Sequence, residues 1–159
     1  MLFRSEASAA GVQIDLIVRG ICCLRVGIPG VSENITVRSI VGNFLEHSRI
    51  FYFWNDGSTE VYMGSADWMP RNLDRRVEIV FPVLDEELKE KAFHILQTEL
   101  ADNVKARIMQ PDGHYEKADR RGKLPVNSQE VFCREAVAAV PKEGPVSSQR
   151  VFIPAEPVE

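Results

Sequence analysis

The chain has 159 residues, 45% hydrophobic and 26% charged, a composition that fits one globular domain with a real core. A formal net charge of -4 argues against a generic nucleic-acid or anionic-membrane surface, and no apolar run approaches the ~20 residues a membrane span needs. The adjacent Cys22-Cys23 and the remote Cys133 lack zinc-ligand spacing and read as reduced, buried thiols with a cytoplasmic address.

Residues 2–10 are helix-forming, and Gly11 suits the left-handed position that ends a helix. Val12 to Val18 is rich in β-branched residues and predicts a buried, parallel strand. Helix followed by strand is half of a βαβ unit without its leading strand, which suggests a piece of a larger protein. Gly27, Pro29 and Gly30 mark a structured loop. Ile35, Ile40, Val41, Phe44 and Leu45 give a helical stripe, so a helix is predicted over Asn34–Glu46.

Ile50–Trp54 and Glu60–Met63 flank Asn55-Asp56-Gly57-Ser58-Thr59 and predict an antiparallel hairpin, with Val77–Val83 as the next strand. Asp85 is a natural N-cap for a helix to Leu100, with Leu84, Leu88, Ala92, Ile95, Leu96 and Leu100 on its core face. Val104–Met109 reads as a strand, Pro111-Asp112-Gly113 as a turn, Tyr115–Lys117 as a return strand and Ser128–Ala139 as a short helix. These elements make one domain over 1–140. The proline-rich segment 141–159 reads as an extended or disordered tail.

The first half of the chain has eight arginines and no lysine before Lys89. A guanidinium fork binds phosphate oxygens bidentately, although arginine-rich codon usage gives the same composition. Arg19 stands at the C-terminal end of a strand, where open α/β sheets place their ligands. His47, between a helix and a strand, has the residue type for general acid–base or nucleophilic work on a phosphoryl group. From position alone, a helix-terminal histidine favoured by the dipole is the plainer account. His94 reads as structural and His114 as solvated. Gly64-Ser65-Ala66-Asp67 follows a strand with small residues that let a ligand approach the backbone. Neither common glycine-rich nucleotide fingerprint is present.

Longer strings carry a resemblance. Ile14 to Leu24, Gly30 to Ile35, Phe44-Leu45-Glu46-His47-Ser48-Arg49-Ile50, Ser65 to Leu73, Asn103 to Arg107 and Pro125 to Ser128 resemble the C-terminal region of bacterial polyphosphate kinase, in its order and spacing. The chain looks like the second of that family's two phospholipase-D-like domains. The resemblance implies an α/β fold with a mixed β-sheet flanked by helices. It also implies a reaction, the reversible transfer of the terminal phosphate of ATP to polyphosphate through a phosphohistidine in the preceding domain. His47 matches the family's second active-site histidine, thought to assist proton transfer or bind phosphates, and Arg19 an ATP-phosphate-binding arginine. Arg76 is a further candidate for that binding.

The implied partners are ATP or ADP, polyphosphate and the remaining domains of a homo-oligomeric enzyme, with neither nucleic acid nor a membrane span. Magnesium would accompany ATP in the full-length enzyme, and none is expected on this chain alone. The chain departs from phospholipase D motifs: Arg49 stands for lysine, Trp54 for aspartate and Asp67 for asparagine. That disfavours one alternative, a phosphodiesterase. The other is an isolated ATP- or polyphosphate-binding module without turnover.

Overall fold

The computed structural model describes residues 2–140, and the tail expected over 141–159 lies outside them. The chain runs α1 (Leu2–Ala9), β1 (Ile14–Ile17), β2 (Ile35–Ile40), β3 (Ile50–Phe53), β4 (Glu60–Gly64) and α2 (Pro70–Arg75). It continues with β5 (Val80–Pro82), α3 (Glu86–Ala101), β6 (Ala106–Met109), β7 (Tyr115–Lys117) and α4 (Ser128–Ala138). The strands form a four-stranded sheet, β1-β2-β6-β7, and a three-stranded sheet, β3-β4-β5. In the first, β1 and β2 are parallel and the other pairs antiparallel, so the expected mixed sheet is present, with a second sheet beside it.

The helix expected over Asn34–Glu46 does not form. Its first half is β2, in which Ile35, Thr36, Val37 and Ile40 are β-branched and Ile35, Val37 and Ile40 are all at most 4% exposed. Flanked by β1 and β6, this central strand buries two faces, and pairing overrides an imperfect helical stripe. β1 is parallel as expected, but it is a shorter, half-buried edge strand.

The crossover from β1 to β2 is an irregular loop. Wholly buried Ser32 pins it by donating to the Arg25 carbonyl (2.6 Å) and accepting from Ile28 N–H (3.2 Å). Val26 from this loop joins Ile35, Val37 and Met109 in one core cluster. α1 docks on the same sheet through buried Ser8, whose Oγ accepts from Asn34 N–H (3.2 Å) and whose carbonyl accepts from Asn34 Nδ2 (2.8 Å).

The hairpin forms in the register Ile50↔Met63 to Phe53↔Glu60. Its turn places Asn55, Asp56 and Gly57 at φ of 45°, 52° and 87°, a left-handed region that these residue types tolerate best. α2 was not foreseen. Pro70 starts it at a position where the missing N–H costs nothing.

α3 begins as expected, with the Asp85 carboxylate accepting from Leu88 N–H at 3.0 Å. Ala92 packs with Val61 and Val83, and Phe93 stacks on Tyr52 with ring centroids 4.3 Å apart. Leu84 and Leu88, expected in the core stripe, are instead 79% and 53% exposed. Among the described residues no helix is long and apolar enough to cross a membrane.

Asp102 closes α3 and is 1% exposed. One carboxylate oxygen accepts from the N–H groups of Val104, Lys105 and Ala106 (2.7–3.1 Å), the other from Ser128 N–H (2.8 Å) and Oγ–H (2.9 Å). Burial alone would raise this carboxyl, but these donors outweigh it and hold it below the ordinary carboxylate range. Alanine at 102 would strand five donors, from the segment after α3, from β6 and from α4. Asp102→Ala is expected to cost about 3 kcal/mol or more in urea unfolding, and a loss under about 1 kcal/mol would contradict this account.

Candidate active site

Because β1 and β2 are parallel, Arg19 and the loop leading to His47 leave the sheet at the same edge. The turn after β4 brings Asp67 to meet them. Arg19 Nη2 donates to both Asp67 oxygens (2.8 and 3.0 Å), while Arg49 donates to Oδ1 through Nε (3.2 Å) and Nη2 (3.1 Å). The same two arginines reach the backbone around the histidine. Arg19 Nη1 donates to the Glu46 carbonyl and Arg49 Nη1 to the His47 carbonyl, each at 3.0 Å. The peptide units on both sides of His47 are therefore held, while its exposed imidazole has no hydrogen-bond partner among the described residues.

This corrects the expected setting of His47. It follows a loop, and an arginine–aspartate clamp fixes its backbone where a helix end was expected. Burial would raise the Asp67 carboxyl, but hydrogen bonds and charge from Arg19 and Arg49 pull it below its usual value. Two guanidiniums on one carboxylate leave a net positive site. Arg19 keeps its Nε–H and one Nη1–H without a partner among the described residues. Arg76 stands exposed at the C-cap of α2 and takes no part in the Asp67 cluster.

A second layer lies behind the loop. Gln129, the second residue of α4, bonds Phe44 N–H (3.1 Å), the Phe44 carbonyl (2.9 Å) and Glu46 Oε1 (2.5 Å). Glu46 also faces Glu99 of α3, which is 4% exposed. Burial, and then hydrogen bonding and charge repulsion from Glu46, push Glu99 from the ordinary 4.5 up to about 8. Sequence reasoning missed Gln129, Glu99 and the role of Asp67. Glu99 did carry a signal: it lies seven residues after Ala92, on the buried face of α3.

The remaining candidates serve packing or solvent. His94 pairs with Glu135 (3.0 Å) and meets Phe132 edge-on, joining α3 to α4. His114 is exposed between Asp112 and Glu116. Trp68 stacks on Phe51 at 5.3 Å. The thiols are unpaired, but the expected burial fails: Cys23 and Cys133 are exposed and Cys22 half-buried. No group of three His, Cys, Asp or Glu among the described residues is placed to hold a metal ion. The carboxylate at the site, Asp67, is already engaged by two arginines, so these residues do not fit a magnesium centre.

This α/β domain thus sets two guanidiniums, clamped on Asp67, against the backbone of an exposed histidine, a positively charged arrangement. The family model described as polyphosphate kinase C-terminal domain 2 matches residues 4–129, and the chain belongs to that family. It is 54% identical over 153 residues to a polyphosphate kinase of Lactiplantibacillus plantarum, covering 94% of this chain and 21% of that protein. It is 59% identical over 129 residues to polyphosphate kinase 1 of Chlorobaculum tepidum, covering 81% of this chain and 18% of that one. The crystal structure of polyphosphate kinase from Porphyromonas gingivalis superposes with a TM-score of 0.79 at 44% identity, over 86% of this chain and 21% of that chain. The chain thus spans about a fifth of the length of these relatives.

The buried acid pair has a measurable signature. Folded Glu99 keeps a proton that the unfolded chain releases, so its stabilisation is complete below about pH 4.5 and is lost as pH rises through about 8. The thermal midpoint should fall across that window, and Glu99→Gln should flatten the decline. An unchanged slope in Glu99→Gln would contradict the pairing.

Proposed function

We propose that this chain supplies half of the active site of a polyphosphate kinase, which moves the terminal phosphoryl group of ATP reversibly onto polyphosphate. In synthesis, ADP leaves as the γ-phosphoryl joins an imidazole nitrogen of a histidine elsewhere in the full-length enzyme. The group then passes to the terminal oxygen of the polyphosphate chain. His47 donates or accepts a proton at the phosphate oxygens, and Arg19 offers its two remaining N–H groups to the ATP phosphates. Arg76, exposed at the C-cap of α2, is a further candidate for phosphate contact. Phosphoryl transfer needs positioning and charge neutralisation above all, and this is what two fixed guanidiniums supply.

The observation that carries this reading is the clamp itself, which immobilises the backbone on both sides of His47 and leaves the imidazole free. Magnesium would accompany ATP in the full-length enzyme, with no residue of this chain assigned to hold it. The apolar Ile21, Val77 and Leu84, 87%, 100% and 79% exposed, support packing against other domains of the same chain in a homo-oligomeric enzyme. The three unpaired thiols and the net charge of -4 support a cytoplasmic protein that uses neither nucleic acid nor a membrane.

In the full-length enzyme, His47→Ala is expected to lower ATP-dependent polyphosphate synthesis about 100-fold or more. Arg19→Ala should reduce kcat/KM for ATP by about 10-fold or more, with Arg19→Lys restoring little because it loses the fork. Near-normal turnover by His47→Ala would sink the assignment.

With a single active-site histidine, the isolated chain favours a second reading, a binding module without turnover. Polyphosphate should then raise its thermal midpoint, and Arg19→Ala should remove the shift. Phosphodiester hydrolysis by the chain would instead revive a phospholipase-D-like activity, which the engagement of Asp67 by two arginines disfavours.

A further inference from the structure

The Gln129 carboxamide is 7% exposed and satisfies all its polar atoms on one loop. Both Nε2 hydrogens go to acceptors, the Phe44 carbonyl and Glu46 Oε1, while Oε1 accepts from Phe44 N–H. This bonding admits one orientation of the amide. A Cβ at Gly42 would collide with the same carboxamide, so the close approach depends on glycine there. Behind Glu46 lies buried Glu99 of α3, and two acids in such contact hold together by sharing a proton.

We propose that Gln129, with Glu99 behind Glu46, is a positioning residue for His47. The two side chains fix the 42–46 loop from the helix side, as Arg19 and Arg49 fix it from the strand side. Neither touches substrate. They act through the loop, and the inference rests on His47 being a catalytic group as read above. A misplacement of about 1 Å at a reacting group costs on the order of 100-fold in rate, so loss of this support should fall on kcat.

The test uses the full-length enzyme, with steady-state kinetics and amide hydrogen exchange of residues 42–48. Gln129→Ala is expected to lower kcat about 10- to 100-fold with KM for ATP within about 3-fold, and to speed exchange in that peptide. Gly42→Ala, which displaces the carboxamide without altering α4, should reproduce both effects, and it decides the matter if Gln129→Ala fails to fold. Glu99→Ala should behave likewise, whereas Glu99→Gln, which still donates to Glu46, should restore exchange protection and most of kcat.

Unchanged exchange in Gln129→Ala and Gly42→Ala, or Glu99→Gln as damaging as Glu99→Ala, would overturn the proposal. Faster exchange with normal kcat would remove the positioning role while leaving His47 its own. Normal synthesis by His47→Ala, by contrast, would remove the reading on which the proposal rests.

Discussion

Asp102, at the end of α3, gathers donors from the segment leading into β6, from β6 itself and from the start of α4 onto one carboxylate that is 1% exposed. A buried charge of this kind persists only when hydrogen bonds replace its lost water, and here five do so. The N-terminal half of α3 lies on the three-stranded sheet, through Ala92 and Phe93. Its C-terminal end is tied to the four-stranded sheet by Asp102 and by Arg38 of β2, which donates to the Leu100 carbonyl. α3 therefore couples the sheets, and Asp102 sets where α4 begins. Because Gln129 follows Ser128 directly, the placement of its carboxamide against the histidine loop descends from that single charge.

The arginines illustrate how one residue type serves two ends. Arg38 is structural, and burial lowers its pKa in spite of nearby Asp15 and Asp102. Arg19 and Arg49 lie nearer the surface, where ion pairs contribute little to stability. Their contribution is geometric. Each guanidinium joins a carboxylate to a peptide carbonyl, which a lysine ammonium lacks the planar fork to do in a fixed orientation. The arginine excess thus serves backbone support at Arg19, Arg38 and Arg49 as well as giving the site its positive charge.

Much of the fold was legible because local chemistry dictated it. The Asp85 cap, the Asn55-Asp56-Gly57 turn and the parallel β1 follow from residue type and short-range pattern. The stretch over β2 misled because its stripe was counted at helical spacing, while partners on both sides favour a strand. At the site, residue type and position made His47 and Arg19 candidates, and the family resemblance gave each a role. Asp67 read as a departure from a motif, and only in three dimensions does it become the shared counter-charge of two arginines. Gln129 was illegible for a simpler reason: a glutamine at the start of a helix announces nothing about a loop far upstream.

That distance bears on how the protein is made. Gln129 meets Phe44 across 85 residues of sequence, and the bond between α3 and α4 at His94 and Glu135 spans another 41. During synthesis the hairpin, α3 and the arginine clamp can all form while the segment that secures the histidine loop has yet to leave the ribosome. α4 is the last of the described helices to be synthesised, so it can secure the loop only once the rest of the described fold has emerged. A nascent chain arrested before α4 would hold every side chain of the clamp and still leave one face of that loop unsupported.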